Sequence, residues 1–208
     1  MKLAVLGATG LTGAYVVEQA LAAGHAVTAL VRNPDTVTRR HPQLVVRKGS
    51  PVAASDIAAC VAGADAVIHC LGIGGLGTGA PTTLVSDSVK AVLDEMRPHS
   101  VRRLVCMSNI GTGGSGSWLV RRVLPAVVRR LGPILEDKER MEAALRVSDV
   151  EWVAVRMAAI KEGPVKPVRT SADGRGLGLS LTAASAAAFL LARTNGPEFL
   201  RETPSLSN

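Results

Sequence analysis

The sequence predicts a single α/β domain in which helices cover both faces of a doubly wound parallel sheet. Three observations support this prediction. Short apolar runs alternate with helical patterns from end to end, as in a sheet built from βαβ units. Hydrophobic residues make up 47% of the chain and are mostly Ala, Val and Leu, which suits a buried sheet under helices. The 208 residues fit one domain of ordinary size, so residues 1–208 are expected to form one unit.

Each element follows from its local pattern. Apolar runs predict six strands, Lys2–Leu6, Ala26–Val31, Leu44–Lys48, Ala66–Leu71, Arg103–Ser108 and Glu151–Met157. Helical periodicity predicts five helices, Gly10–Ala23, Ser55–Val61, Pro81–Arg97, Pro133–Val147 and Thr182–Arg193. Gly24 is expected to end the first helix and Ser55 to cap the second, whereas the terminal segment Thr203–Asn208 is expected to fray.

Charge and composition narrow the range of partners. The formal net charge is +7, which favours an anionic partner such as nucleic acid, a membrane surface or a phosphorylated small molecule. Aromatic residues are only 2% of the chain and the Arg pairs are dispersed, so no nucleic-acid partner is expected. The uncharged stretch Ala66–Ser86 contains five Gly and Pro81, so no membrane span is expected.

Cysteine and histidine show no pattern typical of a metal site. Cys60, Cys70 and Cys106 are an odd number without C-x-x-C spacing, which predicts reduced thiols and a cytoplasmic location. The four His residues are scattered, and His69, on a predicted buried strand, is expected to be a packed core residue. No metal is therefore expected. No heptad pattern indicates an oligomeric state, and a monomer or small homo-oligomer is expected.

A glycine-rich turn directly follows the first strand and opens the first helix. It reads G-A-T-G-L-T-G, in which Gly7 permits a tight turn, Gly10 lets the backbone approach a diphosphate, and Gly13 lets helix and strand pack closely. Free N–H groups and the dipole at the helix N-terminus would then bind the diphosphate. This strand–turn–helix context predicts a dinucleotide-binding, Rossmann-type fold. The alternative is a glycine-rich turn that binds no ligand.

The end of the second strand indicates which dinucleotide binds. The chain reads L-V-R-N-P there, without the acidic residue that usually binds the ribose 2′-OH of NAD. Arg32 offers a planar fork that suits a 2′-phosphate, and Arg39 or Arg40 could add charge. The pattern therefore favours NADP(H) over NAD(H). The alternative is that Arg32 is a solvated strand-end residue.

These motifs and others further along resemble a known family. They are G-A-T-G-L-T-G, the V-R-N-P after strand two, A-P-T-T-L-V-S-D-S-V at Ala80–Val89, the strand end C-M-S-N, and the segment L-E-D-K-E-R-M-E-A-A-L-R-V-S-D-V-E-W-V-A-V-R. Together they resemble the atypical short-chain dehydrogenases. The similarity is closest to the NAD(P)H-binding, NmrA-like group that includes biliverdin and flavin reductases. It covers nearly the whole chain and implies an NAD(P)H-dependent reductase.

Position by position, the resemblance implies a complete cofactor site. It puts the pyrophosphate at Gly7, Thr9, Gly10, Leu11 and Thr12, the 2′-phosphate at Arg32 beside Asn33, the adenine at Ser50 and Pro51, the ribose at Leu71 and Gly72, the nicotinamide at Met107 and Ser108, and the nicotinamide ribose at Lys138. Members of the family often have Asp where Ser50 stands. The sequence Met157-Ala158-Ala159 replaces the familiar proline after strand six, which alters the loop on the nicotinamide side.

The chain departs from the family pattern at the catalytic tyrosine. In short-chain dehydrogenases a tyrosine lies four residues before the lysine, but here that position is Ile134, and the one tyrosine, Tyr15, lies on the first helix. Carbonyl reduction would lose a positioned acid worth about 10²–10⁴-fold. Flavins, quinones and linear tetrapyrroles delocalise charge and take a proton from water. A flat, conjugated acceptor is therefore the favoured substrate, and the net charge of +7 favours one that is anionic.

Ser108 and Lys138 are the catalytic candidates. Ser108 could donate a hydrogen bond to the substrate, or it could satisfy a backbone group at the strand end. Lys138 could face the cofactor ribose, or it could pair with Glu142 on the solvent side of a helix. Two other functions stay open, a module that senses NADP(H) without turnover and a cofactor-assisted isomerase or cyclase.

The basic segment Trp118–Leu131 has an apolar helical face and four Arg on the opposite face. It could be a helix packed on the domain, a mobile lid over the substrate, or a surface for anionic lipid or a partner protein. Pro125 would bend or break such a helix, which fits a lid better than a rigid rod.

Overall fold

The computed structural model describes residues 1–73, 78–115 and 125–208, with the backbone alone at 125–130. Its strands are β1 Lys2–Leu6, β2 Ala26–Val31, β3 Leu44–Lys48, β4 Ala66–His69, β5 Arg103–Asn109, β6 Glu151–Met157, β7 Ala159–Lys161, β8 Arg169–Ser171, β9 Ser180–Thr182 and β10 Ser205–Ser207. Its helices are α1 Leu11–Ala22, α2 Ala54–Val61, α3 Leu84–Met96, α4 Pro125–Val147 and α5 Ala183–Ala192. Two 3₁₀ turns lie at Pro34–Thr36 and Thr112–Gly114.

The main sheet has eight strands in the order β3-β2-β1-β4-β5-β6-β10-β8, and β7 pairs with β9 in a small second sheet. In that order the first seven strands are parallel to one another, whereas the edge strand β8 is antiparallel to β10. The strand order reverses between β1 and β4, and open α/β sheets bind ligands at the carboxyl ends of their strands at such a point. The predicted Rossmann-type fold is confirmed.

Two hydrophobic cores pack on the two faces of the sheet. Because neighbouring residues of a strand point to opposite faces, the buried side chains of β1 alternate between the cores. Leu3 and Val5 pack with residues of α1 and α5, whereas Ala4 and Leu6 pack with residues of α2, α3 and α4. The six predicted strands all form, to within two residues at their ends. Five of them are covered on both faces, whereas β3 lies at the edge of the sheet and is partly exposed.

Three helix starts correct the sequence prediction. Helix α3 begins at Leu84, three residues after the predicted start at Pro81. Helix α2 begins at Ala54 after Ala53, without a side-chain cap, so the predicted capping role of Ser55 is wrong. Asp56, in the first turn of α2, binds the segment before the helix, because its Oδ2 accepts a hydrogen bond from the backbone N–H of Ser50 at 2.8 Å. Helix α4 begins at Pro125, with Pro133 inside it. Proline is well suited to the first helical position, because that N–H has no intrahelical partner.

The terminal segment Thr203–Asn208 is not frayed, so that prediction is also wrong. Ser205–Ser207 form β10, whose Leu206 pairs with Met157 of β6 on one side and Thr170 of β8 on the other. Leu206 is fully buried in the core shared with α1 and α5. The sequence does not reveal this strand because a three-residue element with one apolar side chain has no periodic run.

The amphipathic segment Trp118–Leu131 lies partly outside the described residues, which resume at Pro125. Residues 125–131 form the start of α4. The lid, the packed helix and the lipid or partner surface therefore stay predictions.

The helices of the described part of the chain are not long and apolar enough to cross a membrane. Cys60, Cys70 and Cys106 are buried free thiols. Within residues 1–73, 78–115 and 125–208, no group of three or more His, Cys, Asp or Glu is arranged to hold a metal ion.

Candidate cofactor site

The glycine turn between β1 and α1 has no room for side chains at two positions. Gly7 adopts φ +81°, and a Cβ there would lie 2.8 Å from the backbone carbonyl carbon and oxygen of Cys70. A Cβ on Gly13 would lie 2.0 Å from the carbonyl oxygen of Gly7. The backbone of Gly7 therefore packs directly against the residue that follows β4, and the start of α1 packs directly against the backbone of Gly7.

The N-terminus of α1 is arranged to receive an anion. The N-cap residue is Gly10, which has no side chain to accept hydrogen bonds from the first N–H groups of the helix. A Cβ on Gly10 would meet only the carbonyl oxygen of Gly7, at 3.3 Å. Thr9 and Leu11 are exposed beside it, and Thr12 is buried behind them. These groups fit a diphosphate bound through backbone N–H groups and the helix dipole.

The three arginines near the end of β2 have different surroundings. Arg39 forms an ion pair with Glu18 at 3.3 Å, and Arg40 donates to the carbonyl of Val37 at 2.7 Å. Arg32 is exposed, and within the described part of the chain no ion pair or hydrogen bond engages its guanidinium. Arg32 is thus the arginine best placed to receive a phosphate at this strand end.

The other predicted residues on the adenine side support backbone turns. The side-chain oxygen of Asn33 accepts a hydrogen bond from the N–H of Asp35 at 3.1 Å and caps the turn Pro34–Thr36. Ser50 and Pro51 are half-buried after β3, where Asp56 binds the N–H of Ser50. The N–H of Gly49, one residue before Ser50, donates to the carbonyl of Val31 at 2.9 Å, which joins this segment to the end of β2.

Lys138 joins the carboxyl ends of β4 and β5. It projects from α4, is only 2% exposed, and its Nζ donates to the carbonyl of Leu71 at 3.1 Å and to the carbonyl of Met107 at 2.7 Å. Burial lowers the pKa of its ammonium group to about 8. The structure therefore rules out the solvent-side pair with Glu142. It brings Lys138 together with Leu71 and Met107, and Gly72 lies exposed beside them.

Ser108 faces a buried carboxylate. Its hydroxyl donates to Oε1 of Glu142 at 2.7 Å, so it neither satisfies a backbone group nor points to open space. Glu142 also accepts from Arg156 and from Arg146. Sequence reasoning missed Glu142 and Arg156 as site residues. The available signal was Arg156, a charged residue inside the apolar run of β6, because a buried charge requires a partner.

The turn after β5 lies against the buried groups of Glu142 and Arg156. The N–H of Gly113, at φ +59°, donates to Oε1 of Glu139 at 3.0 Å, and a Cβ on Gly113 would be 2.7 Å from Nη2 of Arg156. The N–H of Ile110 donates to the carbonyl of Met157 at 3.0 Å. The altered segment after β6 therefore borders the turn that follows Ser108.

The residue four positions before Lys138, where the resemblance would put a catalytic tyrosine, is apolar. Ile134 is buried on α4, one turn before Lys138. Tyr15 lies on α1 and packs against the core on that face of the sheet. His69 is fully buried, as predicted, with its Nε2 2.9 Å from Oγ of Ser88.

Comparison with known proteins identifies the family. A family model described as NAD(P)H-binding matches residues 7–197. An uncharacterised chloroplastic protein of Arabidopsis thaliana is 28% identical over 169 residues, a match that covers 78% of this chain. The chain spans 60% of that relative's length.

Solved structures share the fold over the whole chain. ChuY, an anaerobilin reductase from Escherichia coli O157:H7, has a TM-score of 0.81 at 22% identity and covers 100% of this chain and 97% of its own. A short-chain dehydrogenase/reductase from Veillonella parvula in complex with NADP has a TM-score of 0.76 at 14% identity, covering 100% and 94%. The family match includes the glycine turn, Lys138 and β6. The chain therefore belongs to the NAD(P)H-binding, NmrA-like family that its motifs indicated.

Proposed function

We propose that this protein is an NADP(H)-dependent reductase that delivers hydride to a flat, conjugated, anionic acceptor. The observation that carries the proposal is the arrangement around Lys138. Its ammonium group binds two backbone carbonyls at the carboxyl ends of β4 and β5, while Ile134 lies one turn before it where a catalytic tyrosine would stand.

The residues at the carboxyl ends of the strands fit a dinucleotide. We assign the pyrophosphate to the turn Gly7–Gly13, the 2′-phosphate to Arg32 beside Asn33, and the adenine to Ser50 and Pro51. Leu71, Gly72, Met107, Ser108 and Lys138 would hold the nicotinamide half. When bound, the reduced nicotinamide supplies the hydride.

Among the described residues, two acceptors bind the ammonium group of Lys138, which leaves one of its donors for a ligand. An ammonium group has three N–H donors, and the carbonyls of Leu71 and Met107 account for two. We assign the third to the nicotinamide ribose. Because Lys138 is buried and bound at two points, its position is fixed by the sheet, and a ribose bound to it would be held in one orientation.

The proton chemistry supports a conjugated acceptor. The hydroxyl of Ser108 is committed to Glu142, and the side chain of Ile134 has no proton to give. A carbonyl substrate needs a positioned acid, whereas a flavin, quinone or linear tetrapyrrole spreads the added charge and takes its proton from water. The net charge of +7 would help to attract both an anionic acceptor and NADP(H).

Steady-state oxidation of NADPH with a panel of flavins, quinones and linear tetrapyrroles tests the proposal. We expect oxidation with at least one member of the panel. Binding of NADPH without oxidation of any acceptor would contradict the reductase and favour a sensing module. Product formed without net consumption of NADPH would instead favour an isomerase or cyclase.

The assignment of NADP(H) depends on Arg32. We expect Arg32→Ala to weaken NADPH binding by about 10–100-fold, because a charge-assisted hydrogen bond contributes about 1.5–3 kcal/mol. NADH binding should change less than about twofold, since NADH lacks the 2′-phosphate. Fluorescence titration measures both affinities. Arg102→Ala is the matched control, because Arg102 is an exposed arginine at the opposite, amino end of β5. Equal losses for the two cofactors would remove the assignment.

A further inference from the structure

Glu142 lies at the centre of a buried polar cluster beneath the turn that follows β5. Its carboxylate accepts four hydrogen bonds, from Ser108 Oγ at 2.7 Å, Arg156 Nε at 3.0 Å, Arg156 Nη2 at 2.6 Å and Arg146 Nη2 at 2.9 Å. Glu142 is 1% exposed, and Ser108 and Arg156 are also buried, whereas the side chain of Arg146 is about half-exposed. A fully bonded carboxylate of this kind fixes the orientation of every group around it.

The charges define the direction of each hydrogen bond. A carboxylate between two guanidinium groups is ionised and can only accept, so Ser108 is the donor in the bond that joins it to Glu142. The guanidinium of Arg156 binds through two of its nitrogens, which fixes its plane as well as its position.

The Gly111–Ser115 turn is built on that fixed guanidinium. A Cβ on Gly113 would lie 2.7 Å from Nη2 of Arg156, so the backbone at Gly113 sits directly against Arg156. The N–H of Gly113 also donates to Glu139 of α4 at 3.0 Å, and within the turn the N–H of Gly111 donates to Ser115 Oγ at 3.1 Å. The turn begins two residues after Asn109, the last residue of β5.

We propose that Glu142 is a positioning residue, which holds Arg156 under the Gly111–Ser115 turn and thereby fixes that turn beside Met107 and Ser108 for reaction. This inference rests on the proposed reductase function. Glu142 acts through Arg156 and Ser108 and does not itself touch a bound molecule. Loss of the pair should therefore impair the reaction more than it impairs cofactor binding, because the contacts assigned to the pyrophosphate and the 2′-phosphate come from the glycine turn before α1 and from Arg32, and not from this cluster.

The test replaces both charges together. Glu142→Gln alone leaves Arg156 buried beside a neutral group, which could prevent folding. The double variant Glu142→Gln, Arg156→Met removes the charged pair, keeps an acceptor for Ser108 and takes away the group on which Gly113 rests. The control is Glu151→Gln with Arg103→Met, which removes a 2.9 Å ion pair between the amino ends of β5 and β6, far along the strands from Ser108 and Arg156.

Four measurements decide the result. For the Glu142, Arg156 double variant we expect a near-normal melting temperature and an NADPH affinity within about threefold of wild type. We also expect a kcat lower by about 10²-fold with a smaller change in KM, since misplacement of a site by about 1 Å costs about that much. Amide hydrogen exchange at Gly111 and Gly113 should accelerate by about tenfold or more. The control pair should change none of these quantities. Wild-type kcat and exchange in the double variant would show a purely structural pair and overturn the proposal.

Failure of the reductase proposal would be recognised separately. If none of the acceptors in the panel supports NADPH oxidation by the wild-type protein, the proposed function fails. Hydrogen exchange alone then tests the positioning role of Glu142. In that case NADPH should protect the Gly111 and Gly113 amides in wild type and in the Glu151, Arg103 control, but not in the Glu142, Arg156 double variant. Equal protection in all three proteins would contradict the positioning role.

Discussion

His69 makes the folded protein sensitive to acid. Burial lowers the pKa of its imidazole to about 3, so the ring stays neutral in the folded protein while the unfolded chain binds a proton below about pH 6.5. Stability is therefore complete above pH 6.5 and decreases as the pH falls from 6.5 toward 3. Each pH unit in that window costs about 1.4 kcal/mol, or about 2 kcal/mol between pH 6.5 and 5.

Urea unfolding of His69→Gln at pH 7 and pH 5 checks this prediction. Glutamine does not titrate and can still bond Ser88, which His69 contacts at 2.9 Å. We expect the variant to lose about 2 kcal/mol less than wild type between the two pH values. An identical loss in both proteins would mean that other groups cause the acid sensitivity.

Gly13 is predicted to be the least replaceable glycine of the turn. The Cβ of Gly13→Ala would lie 2.0 Å from the carbonyl oxygen of Gly7, and backbone on both sides has little freedom to move. We expect a loss of about 3 kcal/mol or more in the free energy of unfolding. Binding of NADPH should weaken as well, because the first turn of α1 would be displaced.

Gly132→Ala is the matched control for this substitution. Gly132 lies inside α4, and a Cβ there would meet nothing within 4 Å. The control should therefore change the free energy of unfolding by less than about 1 kcal/mol, because the higher helix propensity of alanine is offset by the steric restriction on a Cβ before Pro133. Equal effects of the two substitutions in urea unfolding would refute the packing argument for Gly13.

At the scale of elements, Asp137 joins two helices. It projects from α4, and its two carboxylate oxygens accept hydrogen bonds from the N–H groups of Val85 at 2.9 Å and Ser86 at 3.0 Å, in the first turn of α3. The helix's own N-cap residue, Thr83, supplies no side-chain bond. A carboxylate from another helix thus takes the place of a local cap.

We expect Asp137→Ala to cost about 2 kcal/mol, because two buried N–H groups lose their acceptor. Asp137→Asn retains one oxygen and should cost less. The control is Glu136→Ala, which removes the neighbouring acidic side chain on the exposed side of α4 and should change stability by less than about 0.5 kcal/mol. Chemical denaturation of the three variants measures these differences, and a similar result for Asp137→Ala and Glu136→Ala would disprove the capping role.

The elements show what the sequence can reveal and what it cannot. The strands β1, β2, β3 and β6 have the predicted bounds. In β1, β2 and β6 the apolar run is buried under helices, whereas β3 lies at the edge of the sheet and is marked by its run Leu44–Val46 alone. The glycine turn was also predictable, since its spacing is set by local backbone requirements. The Asp137 cap and the Glu142–Arg156 pair join residues distant in the chain, so no local pattern marks them. The exposure and partners of Lys138 likewise depend on how α4 packs over β4 and β5.

At the scale of the whole molecule, the end of the chain completes the sheet. Strand β10 pairs with β6 on one side and with β8 on the other, so β8 belongs to the main sheet only through β10. Leu206 supplies the apolar side chain of β10 to the core shared with α1 and α5. Three further contacts hold the segment, from Gly178 N–H to Ser207 Oγ at 2.8 Å and from Asn208 Nδ2 to the hydroxyls of Thr182 and Ser185 at 3.2 and 2.7 Å.

Leu206→Ala should therefore destabilise the whole domain, not just its last residues. Removing a leucine side chain that is 0% exposed leaves a cavity, and such changes cost about 2–5 kcal/mol. Leu179→Ala removes the same atoms from a leucine that is 78% exposed and should change stability by less than about 0.5 kcal/mol. Urea unfolding followed by both circular dichroism and tryptophan fluorescence measures the global loss. If Leu206→Ala unfolds at the same urea concentration as Leu179→Ala, β10 is dispensable to the sheet; a single transition shifted to lower urea shows that the cooperative unit includes the last strand.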